Sequence, residues 1–570
     1  MKWIMQLLAA MLLWIFIACD SNTGKNSTDK DSATASRKPV AAQEIQLEEL
    51  SKTHSFLKET QPLVQKMEAK KMGTISQDGI DDNAVLDQKP PEADKAFNTE
   101  DYDNIVENKF LASVQNPLST FSIDVDEAAY SNIRRYLNEG SLPPAGAVRI
   151  EEMINYFDYS YPQPTGSDPF TVKTEMAPCP WNPQHRLVHI GLQGKEIATN
   201  NLPSSNLVFL IDVSGSMDES NKLPLVKSSL KLLTDQLREN DKVAIVVYAG
   251  NAGLVLSSIN GTNKEKIKDA IDNLSAGGST AGGEGIQLAY KIAQQNFIRG
   301  GNNRIILCTD GDFNVGASSD DDLVRMIEQE RKGAVFLSVL GFGMGNYKDN
   351  KMQQLADKGN GNHAYIDNIN EAKKVLVNEF GSTLFTIAKD VKIQVEFNPA
   401  NVQAYRLIGY ENRVIANEDF NDDLKDAGEL GSGHTVTALY EIIPAGITDN
   451  FTKMVDSLKY QRNDRRIASG NSNEIMTIKL RYKKPDDNVS MLMVHTLTGK
   501  EIQLENTSDN FRFAAAVAEF GMLLRASSFK QESSYQQVTN LAKSAQGKDA
   551  NGYRAEFVKL VDAAHSLVKK

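Results

Sequence analysis

Leu207-Val208-Phe209-Leu210-Ile211-Asp212-Val213-Ser214-Gly215-Ser216-Met217 is the stretch that decides the fold of this chain. The apolar run that ends at Asp212 reads as a strand buried on both faces, as in a parallel sheet. At its carboxyl end stand one carboxylate and two hydroxyls, Asp212, Ser214 and Ser216, in a turn that contains Gly215. Hard cations such as Mg²⁺ take oxygen donors of this kind. The carboxyl ends of parallel strands are also where open α/β sheets bind ligands. On this stretch alone a second reading stands beside the first, since Asp and Ser favour helix N-caps.

Two later loops supply more oxygen donors. Gly277-Gly278-Ser279-Thr280-Ala281-Gly282-Gly283-Glu284-Gly285 lies between two amphipathic stretches and brings the hydroxyl of Thr280. Thr309-Asp310-Gly311-Asp312 directly follows the apolar run Arg304–Cys308 and brings a second carboxylate, Asp310. The glycine-rich loop lacks the Gly-Lys-Ser/Thr ending of a phosphate-binding P-loop and does not directly follow a strand. An aspartyl phosphatase reading of Asp310 would need a second carboxylate on its own loop, and Asp212 already belongs to a hydroxyl-rich motif. Asp212, Ser214, Ser216, Thr280 and Asp310 resemble, in order and loop placement, the metal-ion-dependent adhesion site of von Willebrand factor type A domains. That resemblance implies an α/β, Rossmann-like domain with a mostly parallel sheet. It implies that Ser214, Ser216 and Thr280 ligate a divalent cation directly and that Asp212 and Asp310 balance its charge, often through water. Mg²⁺ is the expected ion, with Mn²⁺ or Ca²⁺ as alternatives, and its open position is expected to take an acidic side chain of a protein partner. Asp218, Glu219, Phe313 and Asn314 are the expected rim.

The N-terminus points to a compartment. Lys2 precedes an apolar stretch from Trp3 to Ala18, broken by Gln6 and followed by Cys19. This has the length and flanks of a signal peptide and is short for a transmembrane helix. Ala18-Cys19 resembles a bacterial lipobox, with Phe16 in place of the more usual Leu. The resemblance implies cleavage before Cys19, acylation of its thiol and an extracytoplasmic protein held at a bacterial membrane by acyl chains such as palmitate. The net charge of −12 disfavours general nucleic-acid binding, which needs basic patches. Of the three cysteines, Cys179 and Cys308 remain after Cys19. Neither has zinc-site spacing, and each reads as a buried thiol or strand-edge residue rather than half of a disulfide.

Along the chain, residues 1–18 read as signal peptide and 19–112 as a tether with disordered and amphipathic portions. Residues 113–167 read as an N-terminal α/β module and 168–205 as strands. Within them Asp124, Asp126 and Glu127 lack EF-hand spacing and read as strand-end and cap residues. The type A domain is expected over 206–388, with its last helix over 369–387. Residues 389–508 alternate with period two and read as an antiparallel, sandwich-like β module. The strands of 168–205 need partners, so they are expected to join that module, with the type A domain inserted between. Residues 509–570 carry two apolar helical stripes, expected to dock on the protein itself.

The span of about 100–570 is similar to a bacterial lipoprotein family in which such a domain has its own flanking modules. The likeness rests on Pro143-Pro144-Ala145-Gly146, Arg149–Phe157, Gly409-Tyr410-Glu411-Asn412-Arg413 and Gly431-Ser432-Gly433-His434. It carries no assigned reaction; the leading reading is a binding module, and no catalytic residue is expected. Two alternatives stay open: a metal-dependent hydrolase using His363, His434 or Glu284, and a scaffold in which the metal only stiffens the loops.

Overall fold

Period-two alternation and continuous apolar runs divide the strands into two kinds, and the two kinds build different sheets. The computed structural model describes residues 100–198, 201–279, 282–311, 320–379, 385–425, 427–451, 473–485, 487–499 and 501–569. The expected signal peptide, Cys19 and the tether as far as residue 99 lie outside them. The chain opens with β1 (Leu111–Ala112), β2 (Leu118–Ser122), α1 (Ala128–Asn138) and α2 (Ile150–Asn155), then β3 (Phe170–Cys179) and β4 (Asn182–Gly194). An alternating series follows: β5 (Ser205–Asp212), α3 (Leu223–Gln236), β6 (Lys242–Tyr248), β7 (Ala252–Asn260), α4 (Lys264–Asp272) and α5 (Gly282–Gln295). It continues through β8 (Asn302–Thr309), α6 (Asp320–Lys332), β9 (Val335–Phe342), α7 (Asp349–Lys358), β10 (His363–Ile366) and α8 (Ile369–Lys373), which runs into a π-helical turn, Lys374–Asn378. Strands return as β11 (Thr386–Phe397), β12 (Val402–Ile408), β13 (Gly428–Gly431), β14 (Thr435–Pro444), β15 (Glu474–Lys483) and β16 (Met491–Thr498). Helices α9 (Asp509–Leu524), α10 (Tyr535–Ser544) and α11 (Tyr553–Val568) close the chain.

The alternating series forms one six-stranded sheet in the order β10-β9-β8-β5-β6-β7, parallel except for β7. Every residue of β5 and β8 is buried, because helices cover both faces. Leu207, Phe209 and Ile211 pack with Leu230 of α3 and Ile267 of α4. Val208 and Leu210, pointing the other way, pack with Ile286 of α5 and Ile327 of α6. This is the Rossmann-like sheet that the resemblance to type A domains implies. Two local features differ from the sequence reading. The edge strand β7 was not foreseen, since Ala252–Asn260 mixes polar and apolar residues without clean alternation. The helix expected over 369–387 is shorter: the π turn ends at Asn378 and β11 begins at Thr386. The β-branched Thr386, Ile387 and Val391 favour strand there.

The other strands make two antiparallel sheets. One has the order β1-β12-β14-β4-β3; the other has β13-β11-β15-β16, with β2 also paired to β11. Val188, Ile190, Leu192, Tyr405 and Tyr440 of the first meet Phe121, Ile393, Val395, Ile478 and Leu480 of the second in one core, a β-sandwich. β4 pairs with β14 from Arg186↔Ile442 to Gln193↔Thr435, so strands from before and after the α/β segment share a sheet. The outer face of that sheet, through Leu187, Ala404, Ile408 and Leu439, carries Phe511, Phe513 and Val517 of α9 together with Val538, Phe557 and Val561. Cys179 and Cys308 are free thiols buried in separate cores. No helix among the described residues is long and apolar enough to cross a membrane.

Buried ion pairs tie the α/β segment to its flanks. Arg134 of α1 donates to Asp367 at 2.8 Å, Glu371 at 2.7 Å, Tyr156 Oη at 3.0 Å and Glu556 at 3.0 Å. Arg413 bonds Asp124 at 2.8 Å, Asp126 at 3.1 Å and Asp357 at 3.0 Å. Lys374 pairs with Glu127 and Glu379. The cap roles read for Asp124, Asp126 and Glu127 are therefore corrected. Glu127 precedes α1 without capping it, and all three serve ion pairs with residues more than 200 positions away. Replacing Arg134 with Met leaves Asp367 and Glu371 buried without their cation. Denaturant melts of the variant should show a loss of about 3–5 kcal/mol; unchanged stability would mean the clamp carries no load.

Candidate metal centre

The strand β5 ends inside the sheet, between β8 and β6, where the order of connections reverses. Loops at such a point diverge and leave a crevice at the carboxyl edge. Asp212 is the last residue of β5 and is fully buried. Its Oδ1 accepts the Ser214 backbone N–H at 2.9 Å, and its Oδ2 accepts Thr309 Oγ1–H at 3.2 Å. The chain then turns through the 3₁₀ segment Gly215–Asp218, which leaves Ser214 Oγ and Ser216 Oγ 3.1 Å apart. Ser214 is buried, whereas Ser216, Asp218 and Glu219 are exposed.

The glycine-rich loop is pegged to this turn. Gly277 donates to Val213 O at 2.8 Å, and Gly215 donates to Gly278 O at 3.1 Å. Gly278 has φ +88°, a left-handed conformation that suits glycine. Thr280, two residues on, lies outside the described residues, as do Phe313 and Asn314 of the expected rim. Asp310 follows β8 and is also fully buried. Its Oδ2 accepts Lys222 Nζ–H at 3.1 Å and Asn346 Nδ2–H at 3.0 Å. Gly311 beside it has φ +91°, and a Cβ there would stand 2.7 Å from Lys348 N.

Asp212, Ser214, Ser216 and Asp310 thus stand on neighbouring loops at one sheet edge. Burial pushes the Asp212 carboxyl up to about 6, against the hydrogen bonds from Ser214 and with a further push from the charge of Asp310. Tyr248 Oη faces Asp212 and Thr309, and burial, with the charges of Asp212 and Asp310, raises its phenol against the hydrogen bond to Thr309. The donor set is oxygen throughout, with hydroxyls beside two buried carboxylates, which fits a hard divalent cation and not a zinc site built on Cys and His. Among the described residues no group of three or more His, Cys, Asp or Glu competes for a metal. Asn346 Oδ1 is buried with no hydrogen-bond partner among the described residues, an unmet polar atom beside Asp310.

Lys222, Asn346, Tyr248 and Thr309 were not singled out from the sequence. Thr309 adjoins Asp310 and was within reach of that reading; the others come from positions whose spacing carries no motif. The hydrolytic candidates have surroundings of their own. His363 Nε2 bonds Tyr347 Oη at 3.1 Å, and its backbone N–H bonds Asp126 at 2.8 Å. Burial holds the His434 imidazole down at about 4. Glu284 is exposed in the first turn of α5.

The family models that the chain matches agree with this architecture. Residues 206–379 match the family described as von Willebrand factor type A domain. Residues 96–189 match one described as von Willebrand factor, and residues 382–567 one described as Uncharacterized protein YfbK, C-terminal. The chain is 45% identical over 473 residues to YfbK of Escherichia coli K12, covering 82% of this chain and 81% of that one. It is 31% identical over 170 residues to sll0103 of Synechocystis, 29% of this chain and 39% of the other. A solved von Willebrand factor type A protein from Catenulispora acidiphila aligns at 15% identity and TM-score 0.36, over 79% of this chain and 89% of its own.

The raised Asp212 carboxyl makes a prediction about the metal-free protein. In EDTA the unfolded chain releases this proton near 3.8 and the folded one near 6. Folding stability therefore falls as pH rises through that window and stays low above it. Asp212→Asn removes the loss. In urea melts it should be more stable than wild type by roughly 3 kcal/mol at pH 7–8, with the gap closing below pH about 4. A variant less stable than wild type at pH 8 would contradict the burial argument.

Proposed function

The chain belongs to the YfbK-like family, whose members join a von Willebrand factor type A domain to a YfbK C-terminal module, and from that premise we propose a metal-dependent protein-binding role. Asp212, Ser214, Ser216, Thr280 and Asp310 hold Mg²⁺, with Mn²⁺ or Ca²⁺ as substitutes. The bound ion supplies a partly unsatisfied positive charge that attracts a carboxylate of the partner. The observation that carries this reading is the pair of fully buried carboxylates, Asp212 and Asp310, next to an exposed hydroxyl, Ser216. Burial makes the acidic pair costly without a cation, and exposure of Ser216 leaves one side of the cation open to a ligand. Asp218 and Glu219 stand at the exposed rim. They repel acidic groups that approach off the ion, so an acidic partner is accepted only where the metal meets it.

The proposal includes the membrane. Cys19 carries the lipid, and the chain works on the extracytoplasmic side of a bacterial envelope. The partner is a protein of that envelope or a second copy of this one; nucleic acid has no place at a chain of net charge −12. Hydrolysis at the same loops gains no support from His363, whose ring and backbone are engaged with Tyr347 and Asp126.

Affinity capture from solubilised envelope tests the proposal, with wild type and Asp212→Ala each run in Mg²⁺ and in EDTA. A partner retained by wild type in Mg²⁺ and lost in the other three conditions is the expected result. Equal capture in all four would move function to the sandwich or the terminal helices. Ester or phosphoester turnover that disappears with Asp212→Ala would replace binding with catalysis.

A further inference from the structure

One cation is already inside the site. Lys222 lies ten residues after Asp212, at the N-terminal edge of α3, and its side chain is buried, 4% exposed. Its Nζ is 3.1 Å from Asp310 Oδ2 and 3.6 Å from Glu219 Oε1. A lysine on a loop beside a carboxylate is ordinary at a surface, where such pairs are mobile and weak. This one is different because its stem has a slot of its own. Gly343, with φ +77°, faces it, and a Cβ at Gly343 would stand 2.5 Å from Lys222 Cε and 2.6 Å from Cγ. The same loop supplies Asn346, the second donor to Asp310 Oδ2. Lys222 is held at its backbone as well, donating to Glu219 O at 3.0 Å and accepting from Val226 N at 2.8 Å. Backbone, stem and head are all fixed, and the head points at a candidate metal ligand.

We propose that Lys222 is an intramolecular counter-cation of the metal centre, which weakens divalent-cation binding by neutralising Asp310 from inside the protein. The proposal rests on the metal reading above. Two buried carboxylates would neutralise a divalent ion completely. With the ammonium of Lys222 beside them, the buried groups carry a net single negative charge, and the bound ion keeps an unbalanced positive charge for its ligand. The device trades cation affinity for attraction towards an acidic partner. Lys222 is a positioning and charge-setting residue, and it does not touch the partner.

Mn²⁺ titration of the full-length protein in detergent, followed by electron paramagnetic resonance, tests this. Lys222→Met keeps the stem and removes the charge; Lys222→Gln is the polar alternative if Met disturbs folding, and both are checked against the wild-type melting curve. Both variants should bind Mn²⁺ about tenfold tighter than wild type or more, and Asp212→Ala should bind none at this site. If wild type binds, Asp212→Ala does not, and the Lys222 variants bind equally or more weakly, the counter-cation role is overturned and the metal reading stands. If wild type and the Lys222 variants all fail to bind Mn²⁺, the metal reading falls and takes this inference with it.

Discussion

Two carboxylates buried side by side at the ends of neighbouring parallel strands are the constraint around which this protein is arranged. Asp212 and Asp310 cannot sit there as bare anions without a large desolvation cost. The structure answers part of that cost locally, with Ser214 N–H, Thr309 and Tyr248 turned to Asp212, and Lys222 and Asn346 turned to Asp310. These are groups that a sheet edge built for stability alone would not need. Apolar residues in the same places would fill the space at no electrostatic cost, and it is this cost that the proposed cation would offset.

The rest of the molecule keeps that edge open and its domain fixed in place. The α/β segment leaves the sandwich after β4 and returns as β11, and both ends are held by hydrogen-bonded strands, which limits how far the inserted domain can turn. Buried arginines reinforce the attachment: Arg134 reaches Asp367, just before α8, and Glu371 within it, and Arg413 reaches Asp357 of α7. Arg149 adds Asp349 at 3.3 Å. These contacts fall on helices and loops of the α/β segment and leave Ser216, Asp218 and Glu219 exposed.

The α/β domain was legible in the sequence because its signals are local. An apolar run that stops at a carboxylate, hydroxyls at a spacing of two, and strands alternating with helices can all be read without knowing what lies across space. The edge strand β7 was not legible, since Ala252–Asn260 lacks periodicity, and the end of α8 carries no breaker at Asn378 itself, the first being Gly381. The ion pairs were hidden for a different reason. Asp126 meets Arg413 and Gln353, each more than 200 residues away, and a reader of neighbours sees only a strand end. Lys222 and Asn346 belong to the same class. Each is an unremarkable polar residue in a loop until the fold brings both to one oxygen of Asp310.

The central claim is that a divalent cation belongs between these loops, and its position can be seen directly. Crystals of the protein soaked in Mn²⁺ and measured at the manganese absorption edge would show it as an anomalous peak. The account predicts a peak within ligand distance of Ser214 Oγ and Ser216 Oγ, on the side facing Asp310. A peak elsewhere, for instance among Asp124, Asp126 and Asp357, or no peak at millimolar Mn²⁺, would contradict it.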